Sequence, residues 1–192
     1  VHKDKLIYFP NSVNIEKFEN CSLSDLKKNK VLNLITVARF AEKKKRLDLV
    51  KTISENLIKN KVNFKWKIIG ENTKFLLQNN FFKTHGHFFD IINNIENIDE
   101  EYFPHTDLIK HYKSSDLYVN LSRIESFGVT YIESLASRVP IISFSGKGSD
   151  EIVKDKINGI LVNKDNVLDF TDKICKINEN KSIIDDMRNN YL

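Results

Sequence analysis

Cysteine, glycine, proline and methionine are all scarce in this sequence, and each scarcity removes a class of protein. The 192 residues include two cysteines, three prolines, six glycines and one methionine. Cys21 and Cys175 are too few for a disulfide framework, and there is no Cys-x-x-Cys pair to suggest a metal knuckle. That usage fits a reducing compartment, so the chain reads as cytoplasmic. So little proline and glycine excludes collagen-like and linker-like polymers. No apolar run approaches the ~20 residues that a membrane-spanning helix needs. Residues 1–5 lack the apolar centre of a secretion signal. Nor does one charge dominate: 30 Lys and Arg against 26 Asp and Glu leave +4. A nucleic-acid surface would want a concentrated basic stripe with interleaved aromatics, so no nucleic-acid partner is expected. The first residue is Val1 rather than Met, and the chain reads as a piece of a longer protein.

What is present is enough apolar mass for a core. Hydrophobic residues make up 41% and charged residues 29%, with thirteen Phe. That composition and length indicate one folded domain rather than a disordered chain. Short β-like runs alternate with helical periods. Strands are expected at 31–38 (VLNLITVA), 64–69 (FKWKII, ended by Gly70), 87–92, 117–121, 140–144 and 159–162. Helices are expected at 46–60, 73–82, 106–114, 129–137 and 166–178, with a further one over 181–192. This alternation implies an α/β fold, a mainly parallel sheet with helices on both faces. Ligands of such sheets sit beyond the carboxyl ends of the strands, so chemistry is sought at strand-to-helix junctions.

Three junctions stand out. After the first strand comes Val37-Ala-Arg39-Phe-Ala-Glu-Lys-Lys44-Lys45-Arg46. Four consecutive basic residues at a helix start are unfavourable by about 0.3–1 kcal/mol each, unless an anion is expected there. A solvated face in a Lys-rich chain would look the same, and the cluster alone does not choose. After the 117–121 strand comes Asn120-Leu-Ser-Arg-Ile-Glu125-Ser126-Phe127-Gly128-Val129-Thr-Tyr-Ile-Glu133. Backbone amides around Phe127, Gly128 and Val129 at a helix start would bind a diphosphate, and glycine permits close approach. Glu133 lies about one and a half turns further on, where a carboxylate can hold a ribose diol. Glu125 can accept hydrogen bonds from a second sugar. The bland alternatives are a capping Glu and a surface Glu. The third junction, Phe144-Ser-Gly146-Lys-Gly148-Ser-Asp-Glu, is a glycine-rich turn and is weak on its own.

These segments resemble a known family. Glu125-Ser-Phe-Gly-Val-Thr-Tyr-Ile-Glu133-Ser-Leu-Ala-Ser-Arg-Val-Pro140 is similar to the Glu-x7-Glu signature of family 4 retaining glycosyltransferases of the GT-B fold. Val-Ala-Arg39-Phe with its following lysines resembles that family's Gly-Arg…Lys donor-phosphate motif. Tyr112-Lys-Ser-Ser-Asp116 resembles its Tyr-x-x-Ala-Asp. Gly148-Ser-Asp-Glu151 through Asn158-Gly159-Ile-Leu-Val resembles its glycine-rich turn and following strand. Phe9-Pro10-Asn11 through Phe18 resembles the segment that leads into its C-terminal domain. Five landmarks in register over residues 8–178 are specific. Departures include Ala38 where the family has Gly before the Arg, and Ser12 and Arg138 where it often has Gly.

The resemblance implies a Rossmann-like domain forming one half of a GT-B enzyme. Residues 1–18 would be an interdomain linker, 19–180 the C-terminal nucleotide-sugar-binding domain, and 181–192 a C-terminal helix, with the N-terminal acceptor domain absent. Arg39 and Lys44 or Lys45 would bind the donor diphosphate and stabilise it as leaving group. Spacing from Arg39 favours Lys44, and spacing back from Asp48 favours Lys45. The amides of Ser126, Phe127, Gly128 and Val129 would support the phosphates, Glu133 would hold the ribose, and Glu125 would position the transferred hexose. The implied activity is retaining hexosyl transfer from a nucleotide-sugar, UDP-linked, to a glycan or lipid-linked acceptor in polysaccharide or lipopolysaccharide synthesis. No cofactor or metal is expected, because basic residues neutralise the charge. His85, His87, His105 and His111 gather around a long segment where a metal site is conceivable, but His85-x-His87 without a paired motif is read as surface. The partner of this chain would be its own N-terminal domain, at the inner face of a membrane where the acceptor is lipid-linked. The chain alone should bind nucleotide weakly and transfer nothing. A non-catalytic sugar-nucleotide-binding module is the alternative.

Overall fold

The computed structural model describes residues 11–22, 30–38, 43–94, 104–125, 128–146 and 148–190. Six strands make one sheet: β1 (Leu32–Val37), β2 (Phe64–Ile69), β3 (Phe89–Ile92), β4 (Leu117–Asn120), β5 (Ile141–Phe144) and β6 (Gly159–Val162). Their order is β3-β2-β1-β4-β5-β6, and every pairing is parallel. The α/β expectation therefore holds. The order turns back between β1 and β4, which makes the carboxyl ends of these two strands the topological switch point of the sheet.

Helices connect the strands and cover both faces: α1 (Ile15–Asn20), α2 (Asp48–Lys59), α3 (Asn80–Thr84), α4 (Thr106–Lys113), α5 (Val129–Ala136), α6 (Ser149–Ile152), α7 (Val167–Glu179) and α8 (Ser182–Asn189). Strand side chains alternate between faces, and two cores follow from that alternation. On one face Leu32, Leu34, Trp66, Ile68, Leu117, Val119 and Ile142 meet Val50, Ile53 and Leu57 of α2 and Phe170, Ile174 and Ile177 of α7. On the other, Ile35, Ile69, Tyr118 and Ile141 meet Tyr112 of α4 and Tyr131 of α5. Each aliphatic side chain so buried contributes about 1.5–3 kcal/mol. One polar residue links the centre of the first core. Thr36 Oγ1 donates to the Val119 carbonyl at 2.7 Å and accepts from Trp66 Nε1 at 3.0 Å. It ties β2, β1 and β4 together under the switch point.

The sequence expectations meet the elements with local exceptions. The helix expected over 73–82 is instead a 3₁₀ turn, Thr73–Gln78, followed by α3. Asn79 separates them: its backbone is extended, and its side chain accepts from the Phe81 amide at 2.9 Å. Asparagine competes with the helix in this way and favours caps. The strand expected at 87–92 is confined to Phe89–Ile92, with a 3₁₀ turn before it. Residues 15–20, which carried no helical expectation, form α1. Its Phe18 is fully buried against Cys21 and Ile109 of α4. At the amino ends of the central strands β1 and β4, α8 is held by Arg188 to the Ser115 carbonyl, and Lys181, just before it, donates to the Val31 carbonyl. Among the described residues no helix is long and apolar enough to cross a membrane.

Candidate active site at the switch point

The carboxyl ends of β1, β4 and β5 lead into three loops that brace one another. After β1, the chain forms a 3₁₀ turn, Lys43–Lys45. The Arg123 amide, in the loop after β4, donates to the Lys44 carbonyl at 2.8 Å. Lys45 Nζ then reaches Glu125 Oε1 at 2.5 Å. Both side chains are largely enclosed, 16% and 10% exposed, so the pair is screened far less than a surface ion pair would be. Lys44 is exposed. The spacing ambiguity between the two lysines is thus met by a structural difference: Lys45, not Lys44, is the one directed to Glu125.

The next residue, Arg46, is engaged elsewhere. Its backbone is left-handed, φ 51°, which an L-residue adopts only at a cost. Its guanidinium turns away from the lysines, pairs with Asp165 in the loop after β6 and lies over the Phe144 ring, 5.6 Å from its centre. The basic run is therefore divided, with Arg46 serving as a staple and Lys45 facing the switch point.

The third loop supports Glu125 from behind. Gly148 has φ 90°, and a Cβ there would stand 2.1 Å from the Glu125 carbonyl oxygen. The glycine-rich turn, weak as a sequence signal, is required by this close approach. Asp150 closes that turn by accepting from the Gly146 amide at 2.9 Å.

Gly128 begins α5 with φ 42°, and a Cβ there would run into the Tyr131 ring at 2.3 Å. The ring is fixed in turn by Tyr131 Oη meeting Ser143 Oγ at 2.8 Å. Val129 starts the helix and is 41% exposed, as is Ile124 beside Glu125 at 59%. Glu133 is buried on α5, and Tyr112 of α4 donates its hydroxyl to Glu133 Oε2 at 3.0 Å. Burial pushes the Glu133 carboxyl above the usual carboxylate range, and the Tyr112 hydrogen bond acts in the opposite direction. Burial likewise raises the phenols of Tyr112, Tyr118 and Tyr131. Tyr118 donates to Thr130 Oγ1 at 2.8 Å and receives Asn120 Nδ2 at 3.3 Å. A polar network thus lies beneath the start of α5. The pairing of Tyr112 with Glu133 was missed by sequence reading, which saw Tyr112 only as part of a motif.

Arg39, Ser126 and Phe127 lie outside the described residues. Among the described residues no group of three or more His, Cys, Asp or Glu is placed to hold a metal ion. His85 stacks on Phe81 and meets its carbonyl through Nδ1 at 3.0 Å, and His87 lies against Phe88.

Comparison with known proteins gives the family and the fold. Residues 18–191 match the family described as Glycosyl transferases group 1, and the chain belongs to that family. It is 26% identical over 201 residues to the alpha-monoglucosyldiacylglycerol synthase of Acholeplasma laidlawii, covering 98% of this chain and 48% of that protein. A glycosyltransferase of Rickettsia africae shares the fold with a TM-score of 0.75 at 21% identity, over 100% of this chain and 52% of the other. A TarM variant of S. aureus, crystallised with fondaparinux, alpha-GlcNAc-glycerol and UDP, superposes with a TM-score of 0.73 at 21% identity, over 94% and 34% of the two chains. The chain therefore has the Rossmann-like fold of one part of a GT-B glycosyltransferase. It spans less than half the length of the A. laidlawii synthase.

Proposed function

We propose that this chain binds the nucleotide-sugar donor, UDP-linked, for a glycosyltransferase that moves a hexosyl group to a glycan or lipid-linked acceptor with retention of anomeric configuration. The observation that carries the reading is the Lys45–Glu125 pair at the switch point between β1 and β4, beside the glycine-started helix α5. A diphosphate needs a cation and free amides, and a hexose needs a carboxylate to accept its hydroxyl protons. The pair supplies the cation and the carboxylate within hydrogen-bond distance of each other.

In the reaction, the bond between the anomeric carbon and the diphosphate oxygen breaks, and its electron pair leaves with the diphosphate. Lys45, with Lys44, Arg39 and the amides of Ser126, Phe127, Gly128 and Val129, stabilises that developing charge, the group whose stabilisation matters most in such a step. No metal is assigned to it. The acceptor hydroxyl attacks on the face the diphosphate leaves and passes its proton to the departing phosphate oxygen, so no protein nucleophile is required. Glu125 orients the hexose and Glu133 the ribose. The acceptor is bound by an N-terminal domain, and this chain without it transfers nothing. Both the A. laidlawii relative, a glucolipid synthase by name, and the UDP found with TarM support this donor and acceptor chemistry.

A thermal-shift panel of UDP, GDP and ADP with their sugars tests the donor assignment. A nucleotide at 100 times its dissociation constant stabilises by about 2.7 kcal/mol. UDP and UDP-hexoses should raise the melting temperature most, and no shift with any nucleotide overturns the reading. Unchanged transfer by the full-length enzyme after Lys45→Ala would favour a non-catalytic binding module instead.

A further inference from the structure

Glu133 is an unusual carboxyl for its surroundings. It is 7% exposed, and among the described residues its hydrogen-bond partner is Tyr112, with no Lys, Arg or His paired to it. An isolated carboxylate in such a place is costly, and a well-packed apolar pair would serve the fold better. Tyr112 is itself fully buried. Its one hydroxyl proton has two acceptors within reach on α5, the Thr130 carbonyl at 3.5 Å and Glu133 Oε2 at 3.0 Å. The shorter contact is with the carboxyl, and the two together set the rotation of α5 about its axis against α4. The Tyr112 ring is backed by Tyr118, 5.9 Å away between centroids, whose own hydroxyl is engaged by Thr130 Oγ1. The phenol therefore cannot swing away without breaking a packed network.

We propose that Tyr112 is a positioning residue for the nucleotide: its hydroxyl holds one oxygen of the Glu133 carboxyl so that the other is kept for the ribose hydroxyls. The proposal rests on the reading that Glu133 meets the donor ribose. It assigns to α4, an element outside the Glu125–Glu133 segment, a share in nucleotide recognition.

The test is titration of UDP and 2′-deoxy-UDP by calorimetry with the full-length protein and its variants. The unaltered protein should bind UDP ~10-fold more tightly than 2′-deoxy-UDP, the scale of one hydrogen bond to a charged group. Tyr112→Phe should lose most of that discrimination while 2′-deoxy-UDP binds within about twofold of its former affinity. Tyr112→Met, which removes the phenol hydroxyl and keeps an apolar side chain at the buried position, should do the same and keeps the test open if Tyr112→Phe folds poorly. Glu133→Gln combined with Tyr112→Phe should discriminate no less than Glu133→Gln alone. The pH profile gives a second readout. Among the described residues, the titratable groups facing this carboxyl are Tyr112 from α4 and, behind it, Tyr118 from β4. The lost hydrogen bond favours the ionised carboxyl, so the acid limb of UDP binding should move to higher pH in Tyr112→Phe. Full discrimination retained by Tyr112→Phe, or equal weakening of both ligands, overturns the proposal and leaves the donor site standing. Absence of UDP binding by the unaltered protein overturns the donor site itself, and this inference with it.

Discussion

Lys45 and Glu125, 80 positions apart in the chain, are joined by a 2.5 Å ion pair that is largely closed to solvent. The cation that would meet a diphosphate and the carboxylate that would meet a hexose thus satisfy each other. A donor entering here must exchange one partner of each for its own groups. Glu125→Gln should therefore release Lys45 and tighten UDP binding, by about tenfold if the exchange is worth ~1.4 kcal/mol, while sugar transfer by the full-length enzyme falls. Calorimetry and a transfer assay on the same preparation check both halves. Tighter transfer and weaker UDP binding together would contradict the arrangement.

The two lysines should separate cleanly. Lys45→Ala leaves Glu125 enclosed without its partner, a change that costs about 3–5 kcal/mol where the remaining charge stays buried. It should lower both the melting temperature and UDP affinity. Lys44→Ala, at an exposed position, should lower the melting temperature less than Lys45→Ala does. Paired melts with and without UDP distinguish them.

Gly148→Ala should be among the most damaging single-methyl additions in the chain. The new Cβ would meet the Glu125 carbonyl oxygen at 2.1 Å, and φ 90° is strained for any side chain. Backbone strain of this kind costs about 1–3 kcal/mol, which is about 3–10 °C in melting temperature at this size. Loss of UDP affinity should accompany it, because the displaced atom belongs to the Glu125 backbone. Gly86→Ala is the control, since nothing lies within 4 Å of its added Cβ.

Glu133 predicts a pH dependence of stability. Its folded carboxyl titrates above the unfolded one, chiefly through burial. Such a group contributes stability that is fully present below about pH 4, the unfolded carboxylate range, and is lost as pH rises through the folded value. Glu133→Gln should accordingly raise the melting temperature at pH 7, and the difference should vanish in acid. The same variant should bind UDP less well, so stability and recognition move in opposite directions. Melting curves from pH 4 to pH 8 without ligand test the sign.

Much of this was legible in the sequence, and what was not has identifiable causes. The strand FKWKII ends at Gly70 where expected, because alternation and a glycine stop are local signals. The helix from Val129 follows Gly128 for the same reason. The break at Asn79 was hidden because asparagine fits a helix surface in composition yet uses its side chain as a cap. The choice between Lys44 and Lys45 was undecidable by spacing, since a 3₁₀ turn and a left-handed Arg46 lie between the strand and α2. Arg46 belongs to the basic run in sequence, and its pairing with Asp165 in the loop after β6 is a long-range contact that the run itself does not signal. Tyr112 and Glu133 meet across two helices, a contact that no periodicity encodes.

Thr36 carries a consequence for how the chain reaches this state. Its hydroxyl bridges Trp66 and the carbonyl of Val119, 83 positions away. Until β4 arrives, β1 has a bare edge, and closing so long a loop precedes any gain from the pairing. Synthesis proceeds from the N-terminus, so β1 and β2 emerge and wait with that edge open to strands of other chains. The bond that anchors the switch point in the finished molecule belongs to a pairing that forms only once β4 has arrived, and a Thr36→Val chain should refold with a larger fraction lost to aggregates.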